Sequence, residues 1–328
     1  MSFAFLIPSL YNTGGISPPL QAAILHRLYD AHFIKVSMIE KVYFYLEEQW
    51  YKECLPEAAE AVRGFKDYGF GSDLWVVEES DDLSELPKPE YNALYIADSE
   101  RLLRHLAGAG AAFCGYSHAG NGQESLKMAD YVLMEPQWVD RDSLVKIWQR
   151  QRHLPWTILE TARCVVREFV PEDLEAIRTL YDEEARRYLE APSPDTEKER
   201  KILAAYIERV YSLCGYGHWA VLSRETGELI GRIGFSFPNT SAPGPATDAT
   251  FGYLVHRSWR GRGIAREVCA ALLDYGFEQL GFEKIGADAA VSNTASDKIL
   301  RSFGFREVAR REEQRYYILN KNDWFYIL

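Results

Sequence analysis

The spacing of apolar positions changes several times along the chain, and each change marks an element. Residues 3–10 read as a short apolar strand. The loop NTGGISPP at 12–19 leads to helical spacing over 20–31 and again over 36–48, where Met38, Val42 and Tyr45 share one face. Pro19 suits the first turn of a helix. A further helix is read at 56–66, a strand at 74–77 and an acidic, proline-containing loop at 78–88. Beyond it, short apolar runs at 94–97, 112–115 and 131–133 alternate with helical stretches at 100–106 and 140–149. Strands that alternate with helices predict a parallel, doubly wound α/β sheet for residues 1–150.

The second half has a different rhythm. CVVRE at 164–168 alternates as a strand, and Pro171-Glu172-Asp173 opens a helix whose Leu174, Ile177 and Tyr181 face one way. A second helix spans 196–211. Strands at 219–223 and 229–237 flank a turn in which Gly227 is placed for positive φ. A polar, proline-rich loop at 239–247 precedes the strand FGYLV at 251–255 and a basic loop at 257–262. A helix then begins near Gly263, with Ile264, Val268, Leu272 and Tyr275 at helical spacing, and Gly281 stops it. A strand at 284–291, a helix at 294–303 and strands at 306–310 and 315–319 follow. The order β-α-α-β-β-β-α-β-α-β-β predicts an α+β domain over 163–328. Residues 151–162 carry Pro155-Trp156 in a mostly apolar run, which predicts an ordered junction rather than a flexible linker.

The richest chemistry lies in Arg260-Gly261-Arg262-Gly263. Glycines let the backbone turn tightly, and the first N–H groups of a helix lack intrahelical partners and carry partial positive charge. A strand that runs through such a loop into a helix forms a diphosphate cradle. Arg257, Arg260 and Arg262 stand near enough to add charge-assisted bonds. A dinucleotide turn would need a third small residue where Arg266 stands.

Bulk composition narrows the partners. The formal net charge of −11 opposes unspecific nucleic-acid binding but not a cationic substrate. The five cysteines are scattered without paired spacing, as in a reduced, cytoplasmic protein. MSFAFLIPSLYNTGG lacks a basic start and a long apolar core, so it reads as a strand rather than a signal peptide. No run is long enough for a membrane span.

Arg260-x-x-Gly263-x-Ala265 resembles the acetyl-coenzyme A signature of the GCN5-related N-acetyltransferases (GNAT). Asn293-Thr-Ala-Ser296 and Phe303-Gly304-Phe305 resemble the pattern that ends this fold, especially in its ribosomal-protein-alanine acetyltransferase-like branch. The resemblance covers about half the chain, from Arg163 onward. It implies a splayed, mixed sheet, acetyl-CoA as co-substrate, no metal, and a primary amine as acceptor, either a small molecule or a protein N-terminus. It further implies that Arg260, Gly261, Arg262, Gly263, Ile264 and Ala265 hold the cofactor. Backbone N–H groups of Leu254 and Val255 would face the thioester oxygen. Ser296 would serve the leaving thiolate, and Asn293 would position the cofactor or a water.

Many relatives use a tyrosine in the following helix, but here Leu300 stands at that place. Relatives also carry glutamate where Thr250 stands, so the base is open between Asp248, on the same strand face, His218, and a water chain. By position, Glu183, Glu184 and Tyr188 border the acceptor or form a solvated helix face. The same loop is also compatible with a non-catalytic coenzyme A sensor. A homodimer is left open.

The first half weakly resembles the C-terminal part of a haloacid-dehalogenase-like (HAD-like), Rossmann-type domain, through Leu94-Tyr-Ile-Ala-Asp98-Ser99 and Ala129-Asp130-Tyr131-Val132. That family's Asp-x-Asp is missing from the first predicted strand, and Leu103 stands where a second acid is expected, which implies a non-catalytic domain. Asp98 either lines a ligand crevice or caps the next helix. His118 reads as an exposed loop histidine or an anion ligand.

Overall fold

The computed structural model describes residues 39–122 and 125–324. Its two compact units are Met1–Trp156 and Thr157–Leu328. The strand read at 3–10 and the helix at 20–31 lie outside the described residues.

In the first unit, β1 (Lys41–Glu47), α1 (Tyr51–Asp67), β2 (Gly71–Val77), β3 (Ala93–Ala97), α2 (Glu100–Gly108), β4 (Ala112–Tyr116), β5 (Val132–Leu133) and α3 (Arg141–Gln151) follow one another. The five strands pair in the order β2-β1-β3-β4-β5, all parallel. Residues 41–47, expected to be helical, form the strand β1. Val42, Phe44 and Leu46 pack with α1 and α3 on one side of the sheet, whereas Tyr45 joins Tyr95 and α2 on the other. Burial on both faces makes such a strand apolar throughout, and a continuous apolar run also contains matches at helical spacing. The side chains of Ser99 and Asp140 cap α2 and α3.

The second unit begins with β6 (Thr157–Glu160), drawn from the expected junction, which pairs antiparallel with β7 (Cys164–Arg167). Next come α4 (Leu174–Thr179), α5 (Thr196–Cys214), β8 (His218–Ser223), β9 (Leu229–Ser236), β10 (Ala249–Val255), α6 (Ile264–Glu278), β11 (Lys284–Ala290), α7 (Thr294–Ser302), β12 (Arg306–Arg311), β13 (Gln314–Asn320) and the short α8 (Lys321–Trp324). From β7 to β13 this is the order read from the sequence. The eight strands form one sheet, β12-β13-β11-β10-β9-β8-β7-β6. Its core holds Trp219, Phe235, Phe251 and Phe277, all at most 3% exposed.

Every strand pair in this sheet is antiparallel except β10 with β11. Those two pair only at Ala249↔Ile285 and Thr250↔Gly286, and the rest of each strand diverges. The sheet is therefore splayed at its centre. Among the described residues no helix is long and apolar enough to cross a membrane.

Candidate functional site

The loop between β10 and α6 is shaped by two glycines. Gly261 has φ +74° and Gly263 has φ +78°, a region costly for residues with a Cβ. Gly263 is the N-cap of α6 and offers no side chain to its first turn. Among the described residues, nothing accepts a hydrogen bond from the backbone N–H groups of Gly261 through Arg266, whereas Glu267 N already donates to Gly263 O. The free donors at the start of α6 make up the positive end of its dipole.

Side chains hold the loop from outside. Arg163 donates from Nη1 to Arg262 O at 2.8 Å and from Nε to Glu267 at 2.6 Å. Arg260 donates from Nε to Val255 O and pairs its guanidinium with Asp182 and Glu184, each at 2.9 Å. The Arg260 side chain is thus committed within the protein, and what it offers a ligand is shape. Arg262 lies over the Trp259 ring at 5.3 Å. Arg163 and Asp182 were not singled out in the sequence. They are remote in the chain, and no local pattern links them to the loop.

A cleft of about 480 Å³ opens where β10 and β11 part, bordered by this loop, Tyr253, Asp288, Asn293 and Ser296. Antiparallel pairing alternates which amides face which neighbour. His256 N donates to Ile230 O, so the residues two and four before it, Leu254 and Gly252, also turn their amides to β9. The amides of Tyr253 and Val255 then face the gap. Of the two donors expected from the sequence, Val255 turns its amide to the gap and Leu254 turns its amide to β9.

Ser296 and Tyr253 share a hydrogen bond, Oγ to Oη, of 2.7 Å. Burial pushes the Tyr253 phenol up, so it stays protonated. The sequence indicated that a tyrosine from the following helix was missing. The hydroxyl arrives instead from the strand, and only the fold brings the two together. Asn293 lines the cleft and caps α7, its Oδ1 accepting from Ser296 N at 3.0 Å. Glu184 and Tyr188 line the cleft's rim, but Glu183 does not.

Asp248 is not placed as a base. Its Oδ2 accepts from Glu283 N and Lys284 N, both at 2.8 Å, and fixes the start of β11 outside the cleft. Strand alternation puts it on the face of Thr250, but Asp248 is an exposed bend residue just before β10, and the sequence does not show the neighbouring amides that claim it. His218 lies against Gly252, the Cβ of which would stand 3.0 Å from the ring's Cε1. Burial, and secondarily Arg232, holds its imidazole well below the ordinary histidine range.

In the first unit, Asp98 is fully buried and accepts from Glu47 N, while Ser99 caps α2. His118 is not an exposed loop residue: its side chain is 2% exposed, and Nε2 stands 3.3 Å from Asp98 Oδ2. With the Cys54 thiol these donors fall within 4.8 Å of one another. Gly120 N donates to His118 Nδ1, so in the neutral ring Nε2 carries the proton and donates to Asp98. Burial pushes the Cys54 thiol up to about 12, which keeps it protonated. His118 and Asp98 are partners, and the Cys54 thiol donates to Tyr51 O at 3.7 Å, a poor match to metal ligation, which needs a thiolate and a free imidazole lone pair.

Residues 163–306 match the family model described as Acetyltransferase (GNAT) domain. An uncharacterized N-acetyltransferase of Bacillus subtilis (strain 168), YoaA, is 31% identical over 152 residues, covering 46% of this chain and 83% of the relative. A second, p20 of Bacillus licheniformis, is 30% identical over 152 residues, covering 45% of this chain and 82% of its own. Among solved structures, a ribosomal-protein-S5-alanine acetyltransferase from Vibrio fischeri is similar over 51% of this chain and 97% of its own, at 19% identity and a TM-score of 0.41. The shared sequence, the splayed sheet and the glycine loop converge: the chain belongs to the GNAT acetyltransferase family and is an acyltransferase, with the family's domain at residues 163–306.

Proposed function

We propose that the protein transfers acetyl from acetyl-coenzyme A to a primary amine by direct attack. The observation that carries this reading is the run of unclaimed amides at 261–266, set beside a gap between β10 and β11. Those amides receive the diphosphate, and the thioester lies along β10. Val255 N–H supports the oxyanion that forms when the amine attacks the carbonyl. Ser296, backed by the Tyr253 phenol, donates to the sulfur as the C–S bond breaks. The acceptor is a small amine or a protein N-terminus, as in the ribosomal-protein branch.

Release of free thiol from acetyl-coenzyme A, measured across a panel of primary amines, tests this. Ser296→Ala is expected to lower kcat by about 10²-fold while leaving coenzyme A affinity within a factor of two or so. A variant with unchanged kcat would remove Ser296 from the chemistry. Tight coenzyme A binding with no turnover on any amine would contradict acetyl transfer to amines.

A further inference from the structure

A second cavity, of about 310 Å³, lies under the loop that joins β9 to β10. Residues 238–247 roof it, and Gly286 of β11 with Tyr316 and Ile318 of β13 lie beneath. It shares Ala287 and Asp288 with the 480 Å³ cleft. These two residues follow Gly286, the last of β11 to pair with β10, so the two spaces meet where the strands part. The roof is held at several points. Thr250 Oγ1 accepts from Asn239 N at 3.1 Å near one end, and Asp248 N donates to Lys284 O at 2.8 Å at the other. In the middle it rests on Val308, the extra residue where β12 slips its register against β13. A Cβ on Gly244 would stand 3.2 Å from Val308 Cγ2, and one on Gly286 would stand 3.1 Å from Thr247 Oγ1. A loop pinned in this way gives a chamber of set shape beside the cleft.

The lining is selective. Pro238, Pro243, Pro245, Val308 and Ile318 give it apolar walls. Prolines have no N–H. The amides of Asn239, Ser241 and Ala242 are already bonded, to Thr250 Oγ1, Asn239 Oδ1 and Asn239 O. A peptide main chain is held by donors and acceptors along its length, and this roof offers few. Among the described residues no Lys or Arg lines the cavity, and the one charged lining residue is the exposed Asp288 where it meets the cleft. A carboxylate or phosphate entering here would lose water, gain no counter-charge and pass a like charge.

We propose that this chamber holds the body of the acceptor, and that the acceptor is a small amine whose far end is apolar and uncharged. It is neither a protein N-terminus nor an amine that also carries a carboxylate or phosphate. Val308, set against the roof by the irregularity in β12, is then a residue that determines specificity. The inference rests on the acetyl-transfer reading and names the acceptor class within it.

The test uses the full chain saturated with coenzyme A and reads binding by saturation-transfer NMR. The probes are n-propylamine through n-octylamine, 6-aminohexanoate and the amide of trialanine. Each added methylene is expected to tighten binding up to about fourfold until the chamber is full. 6-Aminohexanoate and the peptide are expected to bind about tenfold or more weakly than n-hexylamine. Val308→Trp fills the space and is expected to weaken n-hexylamine about tenfold or more. Val308→Ala enlarges it and is expected to move the point at which the gain stops to a longer amine. Coenzyme A affinity is expected to stay the same in both variants, because Val308 does not line the cleft. Affinity that ignores tail length, equal binding of 6-aminohexanoate, or a length dependence the same in both variants as in wild type would overturn the proposal. Thiol release from acetyl-coenzyme A separates the two readings. Amines that bind by these rules but are never acetylated would sink acetyl transfer and uphold the chamber's preference, whereas acetylation that ignores tail and charge would sink the chamber alone.

Discussion

Gly263→Val is expected to weaken coenzyme A binding by at least thirtyfold, about 2 kcal/mol. Gly263 holds φ +78° as the N-cap of α6. A β-branched residue there is strained by about 1–3 kcal/mol. The loop relieves that strain by rotating the peptides on either side, which turns the amides of 261–266 away from a common point. Arg163 Nη2 stands 3.4 Å from the new Cβ and would be displaced as well, loosening its hold on Arg262 O. Gly261→Ala is the comparison. Its φ is +74° but nothing lies within 4 Å of an added Cβ, so strain acts there without a clash and the loss is smaller. Calorimetric titration of coenzyme A into both variants checks the order. Equal affinities in wild type and Gly263→Val would mean that the loop's shape does not matter to the ligand.

The largest stability effect is expected at Asp173. Its carboxylate accepts from Arg167 Nη1 at 2.7 Å and Nη2 at 2.9 Å, and from Val170 N at 2.8 Å. The two side chains are only 7% and 8% exposed. Asp173→Ala removes a bidentate carboxylate from the buried Arg167 guanidinium and an acceptor from Val170 N, and breaking one side of a buried ion pair costs about 3–5 kcal/mol. For a unit of this size that is a fall in Tm of roughly 10 °C. Replacing both partners by apolar residues of similar volume removes the buried charge along with its carboxylate, so Arg167→Met with Asp173→Leu is expected to melt above Asp173→Ala. Scanning calorimetry reads both. A single variant that melts with the wild type would show that the pair contributes nothing net.

Much of this architecture was legible because the second unit is built from half-buried elements. β10 alternates buried and half-buried positions over its first half, α6 repeats at helical spacing, and the glycines at 227, 261, 263 and 281 sit where φ is positive. β1 misled because both its faces are buried, so its apolar run fitted a helix too. The loop of the candidate site could be read because its chemistry is local: glycines, a helix start and free amides adjoin in sequence. The groups around it could not. Asp182 and Arg163 reach the loop from 78 and 99 residues away, and Tyr253 meets Ser296 across 43. Asp248 looked free because nothing in its own strand shows the amides of Glu283 and Lys284. His118 sits in a glycine-rich loop that reads as exposed, yet the ends of β3 and β4 bring it against Asp98.

Backbone hydrogen exchange with and without acetyl-coenzyme A tests the central claim most directly, because it reads the amides themselves and requires no acceptor. Saturation with the ligand is expected to slow exchange at Gly261 through Ala265 and at Tyr253 and Val255, and to leave Leu254, already bonded to β9, little changed. Unaltered exchange across 253–265 in a chain that binds acetyl-coenzyme A, or protection that falls only in the first unit, would contradict the account.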